Sequence, residues 1–415
     1  MYYGLDVHKE FIQVCRLALK GEQRQDFRIP TTVQALEAFA HTLCRRDQVA
    51  LEVTFHTWAI YQLLVTRAGR VVAVNATKVK AIAAAQIKTD KIDAHTLAEL
   101  LRANYLPAVQ MPSPQTWALR QLISQRRLLL KQQTALKNTI HGILQRRLIR
   151  LPPGWTPFAQ KTRRWMTDLA LPSAERFMLD NALEMLAQTE LRVAAVDAQL
   201  LQHAQISESA KLLMTIPGVD VIVAVGLLAA IDDIQRFPSP QKLAAYFGLV
   251  PRVRQSANRC FHGRITKAGN RTGRALAIEA AQVLARSSSP LAATYYRVRY
   301  KRGHNVAVTA LARKLIHVVW HLLTKREPYR YAPLARTRVK LTRVSSARTR
   351  ARVIPQTIEE VYAEAGLPPL PAASSGERRA AANNRRTRTR IAHTSGKPSG
   401  GKKMRKEVAT RLTNS

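Results

Sequence analysis

The order of strand-forming and helix-forming segments in the N-terminal quarter of the chain limits the fold more than any other feature. Residues 2–7 and 11–18 predict two strands joined by a short turn, and a third strand follows near residues 26–29. Beyond them the pattern predicts helices and strands in alternation, at 32–43, 49–53, 56–68, 71–74, 76–86 and 90–104. Three meandering strands followed by this alternation predict a mixed α/β sheet.

Four carboxylates occupy informative positions in this segment. Asp6 follows a short apolar run, and Glu52 lies inside Val-Ala-Leu-Glu-Val, where a charge is costly unless it is paired or bound to metal. Sheets with this strand order are typical of ribonuclease-H-like proteins, in which the first and fourth strands are neighbours, so Asp6 and Glu52 are expected to meet. Asp90 and Asp93 are spaced i,i+3 at a helix start and therefore share one face.

Carboxylates clustered in this way need positive charge between them to remain ionised. Two divalent ions about 3.5–4 Å apart would supply it, and oxygen ligands favour Mg²⁺ or Mn²⁺. In the alternative interpretation Asp90 caps a helix, Asp93 offsets the helix dipole and Asp6 is a turn residue; Glu52 fits that interpretation worst. The neighbouring cations either hold substrate phosphate or offset charge, and these are Lys88, Lys91 and His95. His8, His41 and His56 are interpreted as ordinary polar residues.

The charge balance indicates a polyanionic partner. Lys and Arg number 66 against 27 Asp and Glu, a formal net charge of +39. Residues 331–415 hold 19 basic and 5 acidic residues, so about +25 remains on the rest of the chain. A basic tail on a neutral protein is therefore excluded, and nucleic acid is the expected partner. Widely spaced cysteines and the lack of a long apolar run predict a reduced, cytoplasmic protein without a membrane partner.

Beyond residues 1–108, three further regions are predicted. Residues 109–210 are predicted to form a helical coiled-coil arm, because leucine-type residues recur every seven positions, at Leu122, Leu129, Leu136 and Ile143, and again at Leu179, Leu186, Val193 and Leu200. Polar residues at intervening seam positions leave open whether the arm packs within one chain or dimerises. Residues 211–330 form a helical domain that opens with a helix-hairpin-helix-like turn at 216–219. Residues 331–415 are predicted to be a disordered basic tail.

Several motifs together resemble one family. Gly-Leu-Asp-Val-His-Lys at 4–9, the strand with Glu52 and Lys-Thr-Asp-Lys-Ile-Asp-Ala at 88–94 resemble the DEDD transposases of the IS-one-ten family of bacterial insertion sequences. Ile-Pro-Gly at 216–218, Leu-Ala-Ala-Tyr-Phe-Gly-Leu-Val-Pro at 243–251 and Gly-Arg-Ile-Thr-Lys-Ala-Gly-Asn at 263–270 resemble its second conserved domain. The resemblance covers about residues 1–326.

The resemblance implies a RuvC-like first domain that binds Mg²⁺ through Asp6, Glu52, Asp90 and Asp93. It also implies a second domain whose serine, here Ser256, forms a covalent link to DNA. Family members are guided by a structured RNA from their own element, and they assemble as dimers and tetramers. The family usually has glycine after its serine, whereas this chain has Ala257 and Asn258. Ser287 to Ser289 are the nearest alternatives, although they lack an arginine-rich setting.

The residues near Ser256 suit phosphate chemistry without the resemblance. An arginine-rich loop can stabilise a pentacovalent phosphoryl transition state, and the predicted nucleic-acid ligands here are Arg252, Arg254, Arg259, Arg264, Lys267 and Arg274. Three alternatives to an RNA-guided transposase remain at this point. They are a site-specific DNA invertase of the same family, a RuvC-like nuclease that uses water, and a non-enzymatic packaging protein. The last leaves the buried position of Glu52 unexplained.

Overall fold

The computed structural model describes residues 1–19, 23–82, 89–256, 259–344 and 357–370. The chain divides into two compact units, Met1–Ser113 and Pro114–Ser415, and each is described by itself. The N-terminal unit contains the strands β1 (Tyr2–Val7), β2 (Phe11–Leu17), β3 (Arg24–Pro30), β4 (Gln48–Glu52), β5 (Arg70–Val74) and β6 (Ala108–Val109), and the helices α1 (Val33–Thr42), α2 (Thr57–Leu64), α3 (Ala76–Ile82) and α4 (Asp90–Arg102).

The six strands form one mixed sheet in the order β3-β2-β1-β4-β5-β6. β1 pairs antiparallel with β2 and parallel with β4, which confirms that the first and fourth strands are neighbours. β5 pairs parallel with β4 and antiparallel with β6. The pattern did not predict β6, because two residues are too few to show a period of two.

Alternating side chains cover the two faces of this sheet with different helices. Leu5, Leu51 and their neighbours pack with residues of α1 and α2 on one face. On the other face α4 lies across β1 so closely that a Cβ at Gly4 would clash with the carbonyl oxygen of Ala94 and lie 2.7 Å from the nitrogen of Ala98. Glycine at this position therefore lets the helix backbone touch the strand.

The start of α4 corrects one of the earlier alternatives. Thr89, not Asp90, is the N-cap, and its side chain accepts a hydrogen bond from the backbone nitrogen of Ile92. Asp90 is the first helical residue, and both Asp90 and Asp93 lie in the first turn. Part of the predicted helix 76–86 lies outside the described residues.

In the part of the C-terminal unit that the structure describes, one hairpin interrupts an otherwise helical arrangement. Its elements are α5 (Pro114–Arg146), α6 (Gln160–Thr167), α7 (Ser173–Ile206), α8 (Glu208–Met214), α9 (Val221–Ile231), a 3₁₀ turn (Ile234–Arg236), α10 (Pro240–Tyr246), β7 (Pro251–Ser256), β8 (Arg259–Ile265), α11 (Arg271–Ala285), α12 (Ala292–Arg302), α13 (His304–Lys325), α14 (Leu334–Thr342) and α15 (Ile358–Glu364).

The two long helices predicted from the seven-residue spacing are α5 and α7, and they pack against each other within the chain. Ile143 near the end of α5 shares a core cluster with Leu179 near the start of α7. Ile123 and Leu200 meet in a second cluster at the opposite end, so the helices run antiparallel. Two polar seam residues pair across the two helices, because Arg126 Nε donates to Asp197 Oδ1 at 2.5 Å.

α9 and α13 lie at the centre of the C-terminal core. Nine of the eleven residues of α9 are buried, which explains why this helix is apolar on every side. α13 is long and apolar enough to cross a membrane by length and composition, but half of its apolar window is buried inside the unit. The expectation that the protein has no membrane partner stays a prediction.

The predicted disordered tail is wrong for its first part. α14 and α15 fold onto the C-terminal core, where Tyr362 is 1% exposed and its hydroxyl donates to the Tyr329 carbonyl oxygen at 2.6 Å. Lys340 donates to the carbonyl oxygens of Ile216 and Val219 at 3.0 and 2.9 Å, and also to that of Met214. These short helices bury too few residues to produce a detectable period. Residues 371–415 lie outside the described residues.

The close contact between α4 and β1 gives a stability prediction. Gly4→Ala should lower the free energy of unfolding by about 1–3 kcal/mol or more, because the added Cβ meets rigid backbone. Gly142→Ala in α5 is the matched control; its Cβ would meet only the flexible Arg146 side chain at 3.6 Å, so it should stabilise by about 0.5–1 kcal/mol. Urea unfolding measures both, and equal effects of the two substitutions would contradict the packing.

Candidate functional site

Asp6, His8 and Asp90 form a cluster at the end of β1. Asp6 is 9% exposed, and its Oδ2 lies 2.9 Å from His8 Nε2. The same imidazole nitrogen lies 3.4 Å from Asp90 Oδ1. One ligand atom from each of the three residues lies within 4.8 Å of the others. The structure therefore brings together two of the four predicted carboxylates, from a strand and a helix 84 positions apart in the chain.

The electrostatics of the cluster show a deficit of positive charge. Burial raises the pKa of Asp6, the charge and hydrogen bond of His8 lower it, and the charges of Asp93 and Asp90 raise it further. The net result is a pKa above the usual aspartate value, so ionised Asp6 is costly in this position. A bound cation would offset that cost.

Glu52 and Asp93 are close to this cluster but do not belong to the group of three. Leu5 and Leu51 form the last pair between β1 and β4. The next residue along β1 is Asp6, and the next along β4 is Glu52. Asp93 lies one turn along α4 from Asp90 and is near enough to raise the pKa of Asp6. Both side chains are partly buried, and both take part in polar interactions.

His8 and Arg28 lie in the candidate site, although the sequence analysis did not assign them to it. His8 was interpreted as an ordinary polar residue, yet it lies between the two aspartates. His8 directly follows β1 and lies two residues after Asp6. This spacing could have identified His8 as a neighbour of Asp6, because alternate residues of an extended segment share a face. Arg28 reaches the cluster from β3, with Nη2 3.5 Å from Asp90 Oδ2.

A row of side chains across three strands explains the position of Arg28. Asp6 pairs with Gln13, and Gln13 pairs with Arg28. Gln13 is 1% exposed; it donates to the Phe27 carbonyl oxygen at 3.1 Å and accepts from Arg28 Nε at 2.9 Å. The guanidinium also lies over the Phe11 ring at 4.3 Å. These contacts hold its outer nitrogens at the edge of the cluster.

The donor set fits a hard divalent cation. Mg²⁺ and Mn²⁺ prefer oxygen ligands. Asp6 and Asp90 provide two carboxylates, and those of Glu52 and Asp93 are nearby. The nitrogen of His8 is a less suitable ligand for Mg²⁺, and it also donates or accepts a hydrogen bond with Asp6. Side chains present in the cluster can therefore hold a divalent metal.

The cations predicted to flank the aspartates have different positions. Lys88 lies outside the described residues, and Lys91 is exposed on α4. His95 belongs to α4 and contacts β2 instead of the cluster. Its Nδ1 lies 3.7 Å from the Sγ of buried Cys15. Burial and the charge of Arg24 lower the pKa of His95. A phosphate-binding role for this histidine is therefore not supported.

Ser256 lies at the end of an exposed hairpin, not in a loop as predicted. β7 and β8 pair antiparallel, with Ser256 opposite Arg259 and Arg254 opposite Phe261. Residues that lie opposite each other point to the same face, so these four side chains share one surface. All four are exposed. The pattern did not reveal the strands because neither has a buried face, and Ala257 and Asn258 lie outside the described residues.

Two glycines and an arginine secure the base of this hairpin. Gly248 and Gly269 have φ values of 66° and 78°, and a Cβ on either would clash with backbone of the other segment. Arg274 Nη1 donates to the Phe247 carbonyl oxygen at 3.0 Å. This structural role differs from the phosphate contact predicted for Arg274. The other predicted ligands of this region, Arg252, Arg264 and Lys267, are exposed.

Two of the three alternative serines, Ser287 and Ser289, have structural roles, whereas Ser288 is exposed. Ser287 Oγ donates to the Leu284 carbonyl oxygen at 2.8 Å at the end of α11. Ser289 is fully buried, and its hydroxyl lies 2.6 Å from that of Tyr329. Neither hydroxyl is placed as an exposed nucleophile.

The raised pKa of Asp6 predicts how stability depends on pH. Because the folded-state pKa is raised, stability falls as the pH rises through the interval between the usual and the raised value. In EDTA at pH 8, Asp6→Asn should therefore raise Tm, and the gain should disappear below pH 4. Calorimetry across this pH range measures the effect.

Asp47→Asn provides a control of opposite sign. Burial alone would raise the pKa of Asp47, but hydrogen bonds from the N-terminal ammonium and the Cys44 backbone hold it below its usual value. Asp47 therefore stabilises the protein at pH 8, and its removal should lower Tm. A fall in Tm for Asp6→Asn at pH 8 would contradict the assignment of Asp6 as a strained carboxylate.

Two family models match the chain. A DEDD transposase model for IS110 elements matches residues 3–148, and a model described as "Transposase IS116/IS110/IS902 family" matches residues 210–297. The first match contains the four carboxylates, and the second contains the hairpin with Ser256.

Similar proteins agree with these matches. The transposase for insertion sequence element IS1111A of Coxiella burnetii is 30% identical over 250 residues, which cover 59% of this chain and 68% of that protein. The transposase for insertion sequence element IS1328 of Yersinia enterocolitica is 26% identical over 245 residues, covering 57% and 72%. An uncharacterized 43.6 kDa protein of insertion element IS110 of Streptomyces coelicolor is 24% identical over 381 residues, covering 78% and 94%. The chain therefore belongs to the IS116/IS110/IS902 family of insertion-sequence transposases, enzymes that cleave and rejoin DNA.

Proposed function

We propose that this transposase uses a divalent metal, Mg²⁺ or Mn²⁺, bound by the carboxylates at the edge of a ribonuclease-H-like or RuvC-like sheet, and a serine nucleophile at Ser256. The observation that carries the metal part is the convergence of Asp6 and Asp90 on His8 within 4.8 Å. The sheet order, with three meandering strands followed by two parallel ones, supports the fold assignment.

Asp6 and Asp90 would hold the metal, with Glu52 and Asp93 as the further ligands. When bound, the metal would neutralise the phosphodiester and stabilise charge on the reacting oxygens. His8 holds Asp6 in place through the 2.9 Å contact. Arg28 can exchange its contact with Asp90 for one with a DNA phosphate, since its guanidinium is 56% exposed.

Ser256 is proposed to attack the scissile phosphorus. The Oγ–P bond forms, the P–O bond to the deoxyribose breaks, and the released sugar oxygen takes up the proton that the serine hydroxyl gives up. Arg254 and Arg259 lie on the same hairpin face and are suited to stabilise the charge that develops on the phosphoryl oxygens. The covalent link conserves the energy of the phosphodiester for rejoining.

The remaining parts of the proposal concern partners. A net charge of +39 supports binding of a polyanion, and we propose that the DNA of the element ends and target site and a guide RNA are these partners. We also propose assembly as a homodimer or homotetramer. The proposed ligands for nucleic acid outside the metal cluster are Lys88, Lys91, Arg252, Arg264 and Lys267.

Two alternatives share much of this site. A site-specific DNA invertase of the same family would use every residue named above. A RuvC-like nuclease would use the carboxylates with water as the attacking group and would not need Ser256. The exposed serine between arginines favours the covalent mechanism over the nuclease.

The covalent mechanism predicts a protein–DNA adduct. Wild-type protein incubated with DNA of the element ends, guide RNA and Mg²⁺ should yield a peptide linked to DNA through Ser256, detected by mass spectrometry after digestion. Ser256→Ala should lower adduct formation by at least about 100-fold while DNA affinity changes less than about twofold, since a hydroxyl contributes little to phosphate binding.

Ser288→Ala is the matched control. Ser288 is an exposed serine of the same unit and should keep full adduct formation. Strand cleavage that persists in Ser256→Ala would favour the nuclease that uses water. An adduct on a peptide without Ser256 would refute the nucleophile assignment.

A further inference from the structure

A cavity of about 270 Å³ lies between the end of α11, the face of α12 and the start of α13. It is within the C-terminal unit and contains none of the residues assigned to metal or serine chemistry. Its polar and aromatic lining consists of Gln282, Arg286, Tyr295, Tyr296, Arg299 and His304. None of the residues that line it is acidic.

The aromatic side of the cavity is held rigidly. Tyr295 is 6% exposed, and its hydroxyl lies 2.9 Å from His304 Nδ1. The Tyr296 ring packs against Tyr295 at a centroid distance of 5.2 Å and an interplanar angle of 74°. Tyr296 itself is only partly buried. It therefore presents a fixed aromatic surface to the cavity.

The charged side of the cavity is basic. Arg286 and Arg299 are exposed, and among the described residues neither guanidinium forms an ion pair with a carboxylate. α12 as a whole carries Arg297, Arg299, Lys301 and Arg302 and no acidic residue. His304 is the first residue of α13, a helix whose N-terminus receives no hydrogen bond from a capping side chain. Arginines and a helix N-terminus both favour phosphate.

We infer that this cavity binds one unpaired nucleotide of a DNA or RNA strand, with the base stacked on Tyr296 and the flanking phosphates bound by Arg286 and Arg299. Aromatic stacking combined with basic side chains is the usual means of binding single strands. A base inside a duplex has both faces covered by its neighbours and cannot stack on the tyrosine.

The dimensions support a single nucleotide. Pockets for drug-sized ligands and cofactors span about 300–1,000 Å³, so this cavity of about 270 Å³ lies just below that range. A dinucleotide cofactor would need more space. This inference does not rest on the proposed metal or on Ser256, because it concerns different residues and binding instead of cleavage.

The test uses oligonucleotides with one fluorescent base. Full-length protein is titrated into DNA and RNA duplexes that carry a single bulged 2-aminopurine, and into the same duplexes with 2-aminopurine paired. Wild-type protein should quench the unpaired base by stacking and leave unchanged the fluorescence of the paired base, which is already weak because its duplex neighbours stack on it. Whether the DNA or the RNA bulge binds more tightly identifies the source of the nucleotide.

Two variants and two matched controls distinguish binding in this cavity from binding to the general basic surface. Tyr296→Leu should weaken binding of the bulged probes by about 5- to 150-fold, the effect of losing one stacked base. Arg299→Gln should weaken binding as well, because one phosphate contact is lost. Tyr300→Leu and Arg297→Gln alter exposed residues of the same helix that do not line the cavity, and they should change affinity less than about threefold. Tyr300 is 92% exposed.

Circular dichroism melting checks that each variant folds. If Tyr296→Leu is unfolded, Arg299→Gln decides the outcome, because its side chain is exposed and its loss leaves the core intact. Equal losses for the lining and control variants would overturn the inference. Equal quenching of paired and unpaired 2-aminopurine by wild-type protein would overturn it as well.

Discussion

The contact of the α4 backbone with Gly4 on β1 is the constraint on which the metal cluster depends. Asp6 comes from the strand and Asp90 from the helix, and their carboxylates meet at His8 because no side chain separates the two backbones. Any residue larger than glycine would move α4 away from the sheet. Burial and the charges of Asp93 and Asp90 raise the pKa of Asp6, so an ionised Asp6 opposes folding unless a cation offsets its charge.

In the C-terminal unit, the groups proposed to act on DNA lie on an exposed hairpin instead of in a partly buried cluster. The core of this unit is built from apolar helices, whereas the hairpin with Ser256 is exposed on both faces and is secured only at its base, by Gly248, Gly269 and Arg274. A two-stranded hairpin of this kind has little stability of its own. Its alternating arginines suit a negatively charged partner. Bound DNA or RNA would therefore supply contacts that the exposed hairpin does not make within the protein.

Apolar patterns predicted the main elements that have at least one buried face and failed for the exposed hairpin and for the short helices α14 and α15. β1, β4 and the long helices α5 and α7 follow clear apolar patterns, and a charge within such a pattern pointed to Asp6 and Glu52. His8 and Arg28 were missed because their proximity to Asp90 depends on strand register and side-chain direction, which composition does not encode. α14 was missed because it is anchored largely by Lys340, whose three carbonyl contacts have no signature in the sequence.

The central claim is that the carboxylate cluster binds a divalent metal, and Mn²⁺ binding followed by electron paramagnetic resonance tests it most directly. Wild-type protein should bind Mn²⁺ saturably, and Asp90→Asn should lose at least about tenfold in affinity, as expected for removal of a charged ligand. Glu99→Gln, on the same helix but paired with Arg102, should bind like the wild type. Identical Mn²⁺ binding by wild-type protein and Asp90→Asn would contradict the account.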